Sequence, residues 1–300
     1  MGRNMVAAGG LPPAVLHSRE RLKEGRLKLR AQHDSGSPGI QVCVRQTDLL
    51  DSVVLDLYDA AIERAGLTEL PGQLALVAHG GYGRRDVAPY SDVDLMLVHG
   101  KTVSAEAEAL AKPLSQWIVD AGCQLGFSLR TPSQAWKLAW TDASVFSSLA
   151  ESRLLTGSVE LFSRYMRGLR QGSRRRSRRL IRDVVQARSD ERRKYGETVF
   201  LLEPNIKRSG GGLRDIQLIR GVGFAQYGEC DLEKLARLGH LAPEDYRSLR
   251  NGFQYLLRLP IKCILRRASP RINWIGRYKS AWPPGAALRA RMASCPSNSL

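Results

Sequence analysis

The sequence predicts an α/β fold: a small mixed sheet with helices, preceded by a helical segment and followed by a partial helical domain. Three observations carry this. From about Thr47 to Ala65, apolar residues recur every three and four positions, through Leu49, Val53, Leu57 and Ala61, which gives a helix with one core-facing side. Two short apolar runs, Leu74–Ala78 and Asp92–Val98, read as buried strands. Past about Ala143 the pattern turns mostly helical.

Taken in order, Leu16–Gln32 is a basic helical stretch closed by the turn formers Asp34 to Gly39. Gly66, Pro71 and Gly72 separate the Thr47–Ala65 helix from the first strand, and Gly80-Gly81 ends that strand. Side chains alternate along a strand, so Asp92 and Asp94 are expected on one face of the second. Leu110, Leu114, Trp117 and Ile118 give helical spacing within Ala105–Ala121, and Gly126–Arg130 reads as a third strand before Pro132. Helices are expected over Val145–Leu155, over Val159–Leu169 and after Gly212. Pro260, Pro270, Pro283, Pro284 and Pro296 break every candidate helix beyond residue 259. The expected division is a helical segment at 1–45, a core at 46–140, a helical domain at 141–259 and an irregular basic tail at 260–300.

The chain has 300 residues, enough for two compact domains without disulfide or metal staples. With 43% hydrophobic and 25% charged residues, disordered and fibrous classes drop out. Lys and Arg number 46 against 29 Asp and Glu, a formal +17 that attracts phosphates, nucleic acid or an acidic partner. The five cysteines form no Cys-x-x-Cys pair, so reduced thiols in a cytoplasmic protein are expected rather than a zinc site. No apolar run reaches the length of a membrane helix, and no secretory leader is visible.

Chemistry concentrates in His79-Gly80-Gly81-Tyr82-Gly83-Arg84-Arg85 followed by Ser91-Asp92-Val93-Asp94-Leu95. Glycines after a strand let backbone amides approach phosphates, and Arg84 and Arg85 add positive charge. Aspartates at i and i+2 supply the hard oxygen donors that Mg²⁺ prefers. Either half alone is weak, since Gly-x-Gly occurs in many turns and Asp-x-Asp on many solvated strand edges. In strand, glycine turn, strand order they favour a phosphate seat beside a metal seat. A P-loop and a full dinucleotide fingerprint are both missing from the sequence.

These residues resemble the core motif of the DNA polymerase beta-type nucleotidyltransferase superfamily. Further segments are similar to the amino-terminal part of the protein-PII uridylyltransferase/uridylyl-removing family: Leu125–Thr131, Glu151–Gly157, Leu202–Lys207 and Gly211–Ile216. The resemblance covers roughly residues 15 to 259. It implies a polymerase beta-like nucleotidyltransferase domain that transfers UMP from UTP to a tyrosine hydroxyl of the PII nitrogen-signalling protein, with Mg²⁺ and release of pyrophosphate. It further implies Asp92 and Asp94 as catalytic metal ligands, with Gly80, Gly81, Arg84, Ser91, Asn205 and Lys207 at the nucleotide. The Gly-Gly-Leu-Arg-Asp segment would belong to a helical domain covering that nucleotide.

The match has gaps. Relatives continue into a His-Asp phosphohydrolase domain and two glutamine-sensing domains, for which this sequence has no counterpart, so uridylyl removal and glutamine sensing are not expected. Phe127 stands where relatives often carry His, close to the expected site. Gly126–Thr131 holds no third carboxylate, which leaves Glu151 as stand-in and Asp86 nearby in the loop. A tail unlike relatives from about residue 260 suggests a truncated chain, through a shifted reading frame. The arginine run from Arg164 to Arg182 reads as a solvated helix face rather than a nucleic-acid surface, because no aromatic residues are interleaved to stack bases. Two alternatives stay open: the same chemistry on a different acceptor, and an inactive remnant that binds nucleotide or PII.

Overall fold

In the computed structural model, which describes residues 10–67, 73–100, 102, 104–195 and 207–266, strand β1 (Leu74–Ala78) lies at the centre, buried at every position. It pairs antiparallel with β2 (Val93–His99) on one side and with β4 (Arg153–Gly157) on the other. β3 (Leu125–Arg130) joins β2 in parallel, giving a mixed four-stranded sheet in the order β3-β2-β1-β4. A parallel pair needs a crossover, and α4 (Ser104–Asp120) supplies it.

Strand alternation assigns each side chain to a layer. Leu74, Leu76 and Ala78, with Leu95 and Leu97, face a core closed by α1 (Pro13–Asp34), α2 (Gly39–Ala65) and α4. Ala75, Val77, Met96 and Val98 face the other core, closed by α5 (Pro132–Ala139), α6 (Ala143–Ala150), α7 (Val159–Arg175), α8 (Ser177–Tyr195) and α9 (Leu213–Tyr227). Each fully buried Leu or Val is worth about 1.5–3 kcal/mol over its exposed state, which is why both helical layers hold to the sheet. Asp94 has the same parity as Met96 and Val98, so β2 aims it into the second layer.

Beyond α9, α10 (Leu232–Arg237) and α11 (Pro243–Arg266) pack through Ile216, Leu232, Leu235 and Leu249. α11 then returns to α1 and α2, where Leu257 joins Leu29, Val42 and Cys43. Gly39 permits this crossing: a Cβ there would lie 2.8 Å from the Arg258 backbone nitrogen. No helix among the described residues is long and apolar enough to cross a membrane.

Several elements differ from expectation. α2 begins at Gly39, directly after the turn formers and ahead of the apolar face that the sequence shows from about Thr47, because buried Val42, Cys43 and Gln46 extend its packed face backwards. The Gly80 turn is itself a short helix, α3 (Gly80–Arg84). Asp92 precedes β2 instead of lying within it. The helix expected over Val145–Leu155 stops at Ala150, and Arg153–Gly157 becomes the edge strand β4, so the sheet draws a strand from beyond residue 140. α11 runs through Pro260 to Arg266, since a proline removes one helical N–H without ending every helix it enters. The rest of the expected tail, 267–300, lies outside the described residues. In the arginine run, Arg170 Nε and Arg174 Nη2 donate to the Gly228 and Tyr227 carbonyls at the end of α9, at 3.2 and 2.6 Å.

Candidate active site

Where β1 leaves the sheet, His79 adopts extended backbone and Gly80 turns to φ +58, starting α3 across the end of β2. That left-handed conformation and the space both call for glycine. A Cβ on Gly80 would lie 3.0 Å from Asp94 Oδ2, and one on Gly126, the β3 partner of Asp94, would lie 2.7 Å from Asp94 Oδ1. The Asp94 carboxylate is thus flanked by two positions that carry no side chain. A third glycine brings α3 against α6: a Cβ on Gly83 would lie 2.0 Å from the Glu151 carbonyl oxygen.

A cleft of about 800 Å³ opens here between the second sheet face and the helical layer. Gly80, Gly81, Arg84, Ser91, Asp92 and Asp94 line it from the sheet side. Ser148, Glu151, Arg188, Lys207 and Arg214 line it from the helical side. Seven of the eight residues singled out in the sequence therefore share one cavity; Asn205 lies outside the described residues.

Charges in the cleft are organised around Arg84. Its Nε donates to Asp86 Oδ2 at 2.7 Å, and its Nη1 lies 4.0 Å from Glu151 Oε1, with all three side chains nearly buried. Desolvation works to lower the Arg84 pKa, but Asp86 and Glu151 outweigh it and raise it. Glu151 Oε2 also meets Arg220 Nη1 at 3.6 Å, so both its oxygens face guanidiniums; burial still leaves its pKa raised. Burial, then the charge of Asp92, raises the Asp94 pKa, against the pull of Lys207 and Arg84. Lys207 is lowered first by desolvation and then by Arg214 and Arg208, although Asp92 opposes this. At the floor, His79 Nδ1 lies 2.8 Å from Ser148 Oγ, and burial pulls the imidazole down to about 4.

A divalent cation fits the donor set of Asp92 and Asp94: two hard carboxylates facing one cleft, with the charge of Asp92 raising the cost of ionising Asp94 and glycines flanking Asp94. Among the described residues no cluster of three or more His, Cys, Asp or Glu is arranged to hold a metal. Phe127 departs from expectation. It pairs with Leu95 and packs against the first core, on the face opposite Asp94, so it takes no polar group from the cleft.

Sequence reasoning missed Ser148 and Arg188, and it gave Glu151 no guanidinium partners. Their decisive contacts carry no local signal: His79–Ser148 and Glu151–Arg220 each join residues 69 apart, and Arg188 reaches carbonyls and a carboxylate 20 to 27 residues on.

Residues 179–268 match the family model described as GlnD PII-uridylyltransferase. Over 263 residues, 87% of this chain, the sequence is 30% identical to the bifunctional uridylyltransferase/uridylyl-removing enzyme of Haemophilus influenzae, and it covers 29% of that protein. The enzyme of the same description from Vibrio atlanticus is 32% identical over 75% of the chain, and that from Novosphingobium aromaticivorans 28% over 87%. These alignments cover 26% and 30% of the respective relatives, so the chain spans less than a third of their length. Along most of its length the chain is similar to the bifunctional uridylyltransferase/uridylyl-removing enzymes, and its residues 179–268 match the PII-uridylyltransferase family model.

Proposed function

We propose that the cleft binds UTP and transfers UMP to a tyrosine hydroxyl of a PII protein, releasing pyrophosphate. The observation that carries this reading is the Asp92–Asp94 pair set against the side-chain-free Gly80 turn, in a cleft large enough for a nucleotide. The named relatives supply the choice of UTP and PII.

In this reading Asp92 and Asp94 would hold Mg²⁺, which supplies positive charge to the attacking and leaving oxygens when bound. Gly80 and Gly81 let the triphosphate approach the backbone, while Ser91, Lys207 and Asn205 bind it. Arg84, pinned by Asp86, offers a fixed field rather than a mobile hand. Orientation does most of the remaining work: the acceptor oxygen is brought in line with the α-phosphorus, and a carboxylate takes its proton. The proposal concerns transfer alone, in the cytoplasm.

The test is incubation of the purified chain with α-labelled UTP, Mg²⁺ and PII, beside CTP, ATP and GTP. The expected result is label on PII from UTP, abolished by chelation and by the paired changes Asp92→Asn and Asp94→Asn, with folding retained. Full activity in that double variant overturns the reading. Label on another acceptor gives the same chemistry a different target, and nucleotide binding without transfer identifies an inactive remnant.

A further inference from the structure

The loop that brings Lys207 to the cleft is anchored from beneath by an arginine. Arg188, on α8, is 6% exposed and turns all three of its guanidinium nitrogens to protein acceptors. Nη1 donates to the Arg208 carbonyl at 2.8 Å and Nη2 to the Ser209 carbonyl at 3.0 Å. Nε donates to Asp215 Oδ1 at 2.7 Å, and Nη1 also reaches Glu191 Oε2 at 3.1 Å. Asp215, in the first turn of α9, closes the arrangement by accepting from the Gly211 amide at 2.7 Å. The Arg214 amide donates to the Lys207 carbonyl at 3.1 Å. Two successive carbonyls and the start of α9 are therefore joined by one planar fork, which the point charge of lysine cannot reproduce, while Arg192 Nη2 adds a second donor to Asp215 Oδ1 at 2.6 Å.

We infer that Arg188 is a positioning residue: through the 207–212 turn and Asp215 it sets Lys207 opposite Asp92 and Asp94, and so fixes how the cleft holds an anionic ligand. This rests on the reading of the cleft as a nucleotide site. Arg188 also borders the cleft, but its donors are committed to protein acceptors, which separates it from a residue that binds phosphate directly.

A double-mutant cycle tests this by calorimetric titration of Mg²⁺-UTP into the wild type, Arg188→Lys, Lys207→Met and the combined variant. Arg188→Lys is expected to weaken UTP binding roughly tenfold, about the value of a charge-assisted hydrogen bond, and to change it less than twofold once Lys207 is gone. Hydrogen exchange at the 208–212 amides reads the clamp without any ligand, and Arg188→Lys should speed it at least tenfold while α4 amides stay unchanged. Multiplying losses in the cycle, or unchanged exchange, overturn the inference. Failure of the wild type to bind UTP while the exchange effect remains would instead overturn the nucleotide reading.

Discussion

Arg153 on β4 grips Asp51 on α2 through two parallel hydrogen bonds, Nη1 to Oδ2 at 2.9 Å and Nη2 to Oδ1 at 3.0 Å. The same guanidinium stands 5.6 Å from the centre of the buried Tyr82 ring in α3. The pair thus ties the sheet edge that sequence patterns read as helix to the helix before the sheet, beside the turn that carries Gly80. Both side chains are mostly buried, at 25% and 17% exposure, so loss of one partner strands the other.

Asp51→Ala is therefore expected to lower stability by about 2 kcal/mol, between the value of an exposed pair and that of a fully buried one. Arg153→Ala should cost a similar amount, and the double variant less than the sum. Urea unfolding of the four proteins reads this; strict additivity would mean that the fork contributes nothing.

Two glycines near the cleft should respond in opposite ways. A methyl on Gly83 would meet a backbone carbonyl at 2.0 Å, which cannot yield without moving α6, so Gly83→Ala should cost about 3 kcal/mol of stability. On Gly126 the obstacle is the Asp94 carboxylate at 2.7 Å, the free end of a side chain. Gly126→Ala should therefore fold within about 1 kcal/mol of the wild type yet lose roughly 100-fold in transfer rate, because a displaced carboxylate spoils the geometry. Melting and rate measured on both variants separate the two effects.

His79 gives the fold a defined acid sensitivity. Its pKa falls from 6.5 to about 4 in the folded chain, chiefly through burial, so the structure accommodates the neutral ring. The depressed value means that the associated stability is whole above pH 6.5 and is lost as pH falls towards about 4. The loss approaches 3 kcal/mol at the lower limit, by the usual free energy per pKa unit. His79→Gln, which keeps a polar group near Ser148, should flatten the slope of the urea midpoint between pH 6.5 and 5; parallel slopes would refute it.

What the sequence discloses is what neighbours in the chain decide. Leu74–Ala78 is a strand because five apolar residues between breaks can only be buried on both faces, and Gly80 with Asp94 is readable because turn and strand chemistry is local. Arg153–Leu155 misleads for the opposite reason: Leu154 and Leu155 continue the apolar pattern of the preceding helix, and only pairing with β1 makes them a strand. The Arg188 clamp joins segments 20 to 27 residues apart and the His79–Ser148 contact joins residues 69 apart, which no periodicity encodes. Phe127 shows the same limit. Its place in a motif put it near the site, but strand parity turned it to the other face.

Asp94 should be a residue that the fold tolerates rather than welcomes. Burial and then the charge of Asp92 hold its pKa above the usual carboxylate value, so ionising Asp94 is harder in the folded chain than in the unfolded one. For a raised acid the sign is plain: the ionised group costs stability above its folded pKa, and the cost disappears as pH falls below the unfolded value. Asp94→Asn is therefore expected to melt about 1–3 °C above the wild type at pH 7.5, a shift that matches a change below 1 kcal/mol in a chain of this size. At pH 3.5 the two should converge. Millimolar Mg²⁺ with UTP should reverse the order at pH 7.5, since a ligand whose cation needs both carboxylates stabilises the wild type more than the variant. A variant that melts lower in both conditions would show that the carboxylate supports the fold itself and is not held ready for a cation.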